Sequence, residues 1–136
     1  MQTYTRFQNA ALLILRIITA AIFFVAGYYK FPFWKGLPEG MEGMSASMLL
    51  ITKILSIAEP LGAMAILLGF LTRLAASGLT IIMMGAIYIL QVEYGIGFVT
   101  PTSSGWNMPL AVLGGCVILI AFGAGRFSLD GARGRR

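Results

Sequence analysis

The chain has 136 residues, 58% of them hydrophobic and 11% charged, which is too apolar for an ordinary soluble domain. It carries a formal net charge of +5, one cysteine and no histidine. Those counts exclude haem held by paired histidines, a CxxC dithiol couple and a zinc or copper site built within one chain, so neither a covalent nor a metal cofactor is expected.

A helix needs about 20 apolar residues to cross a hydrocarbon core of roughly 30 Å. Four stretches qualify, over residues 10–29, 49–71, 74–92 and 107–125. They predict an all-α fold: an integral membrane four-helix bundle forming a single domain over 1–136, with residues 131–136 as a basic cytoplasmic tail.

The first stretch follows Arg6 and contains Arg16, about 9 Å deep at ~1.5 Å rise per residue. Its length and internal charge suit a retained span better than a signal peptide. Arg16, Thr19, Phe23, Gly27 and Lys30 share one face at helical spacing. The segment that follows, "YYKFPFWKG", is rich in rings, including Tyr28 and Trp34. With Tyr94 and Trp106 it reads as an aromatic belt at the outer interface, and such rings also suit a flat ligand.

The second stretch carries the deepest charge. Glu59 lies about 15 Å into its span at ~1.5 Å per residue, and its side chain is too short to reach water. A charge near the bilayer centre costs at least ~2.5–3.5 kcal/mol, so it is expected to face protein and to have a partner. Thr52, Ser56, Glu59 and Ala63 form one stripe, and Pro60 leaves the carbonyl of Ser56 without its helical donor, which favours a bend there. Arg16 is the obvious ion-pair partner by cost, but it sits nearer the inner end and the two side chains lean apart in antiparallel helices. Lys30 and Lys53, near the outer ends where lysines usually snorkel, compete with it.

Thr72 and Arg73 mark a tight turn into the third stretch, where Ser77, Thr80, Met84, Tyr88 and Gln91 make a polar stripe expected to point inward. Gly62 and Gly69, Gly78 and Gly85, and the Ala111-to-Gly115 spacing supply shallow patches for close helix packing. Cys116 in the fourth stretch reads as a small packing residue. After it, Gly123 and Gly125 end the helix, Arg126 reads as an interface anchor, and Ser128 or Asp130 as a cap or turn partner.

Arg6, Arg73, Arg126, Arg133, Arg135 and Arg136 fall on one side of this layout, so the positive-inside rule puts both termini and the 2–3 turn in the cytoplasm. Topology and attraction to anionic headgroups account for the net charge without a nucleic-acid partner.

Arg16, "AGYYKF" ending the first span, "EPLGAMAILLGFLTRLAA" through the second span and turn, and "GAGRFSLD" after the fourth together resemble the DoxX family of bacterial four-helix membrane proteins. The resemblance covers residues 10–130 and implies a multi-pass protein of the bacterial inner membrane. It also implies matched positions without defined roles at Arg16, Lys30, Glu59, Arg73, Arg126 and Asp130. Members are commonly labelled oxidoreductases, through relatives associated with quinone-coupled oxidation of sulfur compounds and with oxidative-stress complexes. Since this chain has no self-contained redox site, the resemblance implies a quinone-binding or accessory subunit working with oxidoreductase partner subunits. A non-catalytic assembly or scaffold subunit and a small proton-linked transporter using Glu59 are the alternatives, and self-association as a homo-oligomer stays open. Candidate ligand- or proton-binding residues are Glu59, Arg16, Lys30, Ser56, Lys53, Tyr28 and Trp34.

Overall fold

A computed structural model describes residues 4–134, and no strand occurs among them. Arg135 and Arg136, the last of the basic inner-side residues, lie outside the described residues. Four helices follow one another: α1 over Arg6–Tyr28, α2 over Ala46–Leu68, α3 over Thr72–Tyr88 with a π-helical extension at Ile89–Glu93, and α4 over Asn107–Phe122. A short helix, α5, closes the described chain at Leu129–Arg133. α1 packs on α2 and α3 on α4, with further contacts joining the two pairs. Bonds between the start of α1 and the end of α4, and between α1 and the last turn of α2, make an up-down-up-down bundle.

Local sequence sets the helix ends. Thr5 and Gln8 form a reciprocal capping box on α1, with bonds of 2.8 and 3.2 Å. Ser45 caps α2 by accepting from Met48 N at 3.3 Å. α2 stops at Gly69, whose φ of +66° suits glycine, with Phe70 N donating to Ala65 O at 2.9 Å and Gly69 N to Ile66 O at 3.1 Å. Pro60 lies inside α2, yet the helix runs through it without interruption.

The helices α1, α2 and α3 with its π extension are each long and apolar enough to cross a membrane. α4 is shorter, at 16 residues and about 24 Å by the ~1.5 Å rise. The predicted 107–125 span is therefore cut short at Phe122, because Gly123, at φ +73°, leaves the helical region. Ile14, Ile18, Leu50, Ile54, Leu61, Ile81 and Val117 are exposed along the sides, as lipid-facing residues are, while Phe23, Ala63, Ile66, Leu79, Cys116 and Leu119 fill the centre.

The stripes on α1 and α2 face inward: Arg16, Thr19, Phe23, Gly27, Ser56, Glu59 and Ala63 are all buried. The α3 stripe does not. Met84, Tyr88 and Gln91 are exposed and α3 buries Thr72, Ala76 and Leu79 instead. Ser77 and Thr80 do not need an inward face, because their hydroxyls donate to the carbonyls of Arg73 and Ala76 at 2.8 Å. Gly78 and Gly85 likewise do not mediate packing, since a Cβ added at either would meet nothing within 4 Å. Gly62 does, with Leu79 against it, and so does Gly115, facing Leu15.

The inner end is held by two polar side chains. Arg16, 1% exposed, donates from Nε to Ile66 O at 2.8 Å, from Nη2 to Leu67 O at 2.5 Å, and from Nη1 to Ala124 O and Phe127 O at 3.2 and 2.6 Å. It thus ties α1 to the last carbonyls of α2, of which Ile66 O also accepts from Gly69 N, and to the segment after α4. Asp130 accepts from Leu71 N, Thr72 N and Thr72 Oγ1 at 3.0, 2.9 and 2.9 Å, so it caps α3 from α5. Leu71, at φ +47°, is held in the left-handed region by that grip. Gly69 lies against both devices: a Cβ there would overlap Ser128 Cβ and sit 2.8 Å from Arg16 Nη2.

Two substitutions rank these contacts. Asp130→Ala removes a cap and is expected to cost about 1–2 kcal/mol, with Asp130→Asn losing less. Arg16→Met strips donors from buried carbonyls and is expected to cost about 3 kcal/mol or more, since each unsatisfied group carries about 1–3 kcal/mol. Thermal unfolding of the purified protein in detergent checks the order. Equal midpoints for Arg16→Met and wild type would show that those carbonyls find other donors.

Candidate functional site at the outer end

The outer half of the α1–α2 pair is built on a close helix contact. A Cβ at Gly27 would overlap the ring of Pro60, lying 2.6 Å from its Cδ, so only glycine lets α1 approach α2 here. Ser56 O also faces this glycine, 3.4 Å from the same position. Pro60 therefore acts less as a breaker than as the surface on which α1 rests.

That approach brings Lys30, at the end of α1, onto Glu59. Lys30 Nζ lies 2.7 Å from Glu59 Oε2, with the carboxylate side chain 2% exposed and the lysine 26% exposed. This is the ion pair among the described residues. Lys30 Nζ also donates to Ala26 O at 3.2 Å. An ammonium has three N–H groups and a carboxylate room for about four bonds, so both partners retain capacity.

A second set of contacts lies one turn toward the outside. A 3-10 turn at Phe31–Trp34 carries Trp34 over α2, where its Nε1 donates to Ser56 Oγ at 2.8 Å. Ser56 Oγ in turn donates to Lys53 O at 2.7 Å, and Lys53 Nζ sits 5.7 Å from the centre of the Trp34 ring. Lys30, Glu59, Ser56, Lys53 and Trp34 are thus gathered at one end of α1 and α2. Tyr28, 71% exposed, packs edge-on against Tyr29 at 5.8 Å between ring centres. Those rings, with Phe24, Val25, Phe31 and Pro60, line an open groove of about 460 Å³, whose walls include Phe31 and Pro60, the chain neighbours of Lys30 and Glu59, but neither charged side chain.

Arg16 is not part of this cluster. It lies 14 positions before Lys30 on α1, about 20 Å along the axis at the ~1.5 Å rise, and four of its five N–H groups already donate to backbone carbonyls. Trp106 pairs with Phe98 at 4.7 Å in the other outer connection, where both its backbone and that of Asn107 return to residues 97 and 98. Among the described residues no group of three or more His, Cys, Asp or Glu side chains could hold a metal ion.

Sequence reasoning read Asp130 as a cap or turn partner, and as a matched position without a defined role, and gave no sign that it reaches α3. The signal that could have found it was the missing cap at Leu71, a residue with no side-chain oxygen at a helix start.

Removing the lysine tests how strongly the pair is coupled. Lys30→Met leaves Glu59 as a buried charge and is expected to destabilise the protein by about 2–3 kcal/mol, below the ~3–5 kcal/mol of a wholly buried pair because the lysine is partly exposed. The double variant Lys30→Met/Glu59→Gln should recover most of that loss in detergent melts. A double variant no better than Lys30→Met would contradict the pairing.

Comparison with known proteins agrees with this architecture. Residues 11–92, which take in α1 from Ala11 onward, α2 and α3, match the DoxX family. Inner membrane protein YqjF of Escherichia coli strain K12 is 27% identical over 128 residues, covering 92% of this chain and 93% of that protein. No solved structure matches. With the match extending through the α1–α2 pair and beyond the 2–3 turn, the chain belongs to the DoxX family and is a multi-pass inner-membrane protein.

Proposed function

We propose that this protein binds a quinone at the outer end of α1 and α2 and serves as a quinone-binding or accessory subunit of a membrane oxidoreductase. The observation that carries the reading is the Lys30–Glu59 pair, which is buried on the carboxylate side and unsaturated in hydrogen bonds, with its chain neighbours Phe31 and Pro60 in the wall of an aromatic groove.

The groove volume of about 460 Å³ falls in the ~300–1,000 Å³ range of small-molecule sites, and its rings offer faces to a flat head group. Its position among exposed apolar side chains leaves room for a lipid-soluble tail to stay in the bilayer. A bound quinone would supply the two-electron, two-proton chemistry that this chain, with no histidine and one cysteine, lacks. The third N–H of Lys30 Nζ is available to a carbonyl oxygen, and Glu59 Oε1, which has no protein donor among the described residues, is placed to hold or release a proton. Trp34 and Ser56 bond to one another at the same end of α2, while Lys53 keeps its ammonium donors over the Trp34 ring. Electrons must reach such a site from a partner subunit.

Titration of the purified protein with a short-tailed ubiquinone tests the reading, followed by Trp34 fluorescence quenching. Binding is expected in the wild type, with loss of about tenfold or more in Glu59→Gln and Lys30→Met, the worth of one charge-assisted hydrogen bond of ~1.5–3 kcal/mol. Absence of binding to the wild type, or wild-type affinity in both variants, would remove the proposal.

A further inference from the structure

At the inner end, opposite the quinone site proposed above, a cleft of about 900 Å³ opens between the start of α3 and the end of α4. The geometry points to this cleft as a binding site for the phosphate of an anionic phospholipid, with Arg73 and Arg126 as the cationic walls.

Both arginines line the cleft and are exposed, and neither has a carboxylate within 4.0 Å among the described residues. Arg73 Nη2 makes one long bond, 3.4 Å, to Ala121 O at the last turn of α4, which fixes the guanidinium beside Gly123 and leaves other N–H groups available. Arg126 uses its backbone N–H, donating to Asn9 Oδ1 at 2.6 Å, which sets its position without engaging its side chain. The acidic residue in the wall is Asp130, whose two carboxylate oxygens already accept from Leu71 N, Thr72 N and Thr72 Oγ1. The cleft therefore keeps a net positive charge.

Its edges suit a lipid rather than a soluble anion. Leu71, Leu74 and Phe122 are exposed on the cleft wall, so an acyl chain can run down the sides of α3 and α4 from a phosphate held above. The cleft also lies on the side that the distribution of arginines assigns to the cytoplasm, where the leaflet is anionic.

The test uses the full chain purified in detergent and examined by native mass spectrometry with phosphatidylglycerol, phosphatidylcholine and inorganic phosphate. Retention of phosphatidylglycerol over phosphatidylcholine is expected. Arg126→Gln, whose side chain supports no other contact, should reduce that retention about fivefold, and Arg73→Gln/Arg126→Gln about twenty-five-fold, at the usual worth of one basic residue near an anionic surface. Arg6→Gln, on the same side but outside the cleft, should change nothing. Equal retention of the two lipids, or unchanged retention in Arg126→Gln, would overturn the site. Inorganic phosphate displacing the lipid at millimolar concentration would assign the site to a free anion and overturn the lipid. Since Lys30 and Glu59 take no part, Glu59→Gln should retain lipid as the wild type does, so failure here and failure at the quinone site can be told apart.

Discussion

The guanidinium of Arg16 is the contact on which the inner end of the bundle depends. A helix that ends inside or near a membrane leaves its last carbonyls without donors, and no solvent is at hand to supply them. Here one side chain from the middle of α1 meets two carbonyls in the last turn of α2, that of Leu67 and that of Ile66, which is shared with Gly69 N, and two more from the segment after α4. The result joins three parts of the chain through backbone atoms, so a change in the side chains of α2 or of residues 124–127 need not disturb it. It also explains why a costly cation is tolerated so deep. Its charge is spread over fixed carbonyl dipoles, with no buried carboxylate required as counterion.

The two ends of α1 consequently have different characters. The inner contacts of α1 and α3 are saturated, apart from the arginines of the cleft: Arg16 gives four of its five N–H groups to backbone carbonyls, and Asp130 accepts from Leu71 N, Thr72 N and Thr72 Oγ1. The outer end is not, because Lys30 and Glu59 share one short contact and keep further donor and acceptor sites. A polar side chain committed to backbone groups fixes the spacing of the helices, whereas one with spare donors and acceptors can take a further partner. Gly27 and Pro60 belong to both roles, since their contact sets the helix spacing and also brings the ion pair together.

Much of this could be read from the residues. Helical spacing put Arg16, Thr19 and Gly27 on one inward face, and Ser56 with Glu59 on another, because a charge or hydroxyl in an apolar run has few tolerable directions. The choice between Arg16 and Lys30 as partner of Glu59 could only be narrowed by depth and side-chain lean; the geometry decides for Lys30. What escaped was whatever depended on backbone acceptors. Nothing in the letters of Ile66, Leu67, Ala124 or Phe127 says that their carbonyls turn toward Arg16. The α3 stripe misled for a related reason: Ser77 and Thr80 satisfy their hydroxyls within their own helix, and a polar stripe that does so carries no directional information.

The grip of Asp130 on Leu71 and Thr72 has a further consequence for how the protein is made. The first turn of α3 receives its cap from a residue 58 positions later, beyond the whole of α4. During synthesis α1 and α2 can pair as soon as both are in the bilayer, since the Gly27–Pro60 and Lys30–Glu59 contacts lie within them. α3 must wait with an uncapped start, and Leu71 without the bond that holds it left-handed, until α5 leaves the ribosome. Assembly thus finishes at the cytoplasmic face, after the outer site has already formed.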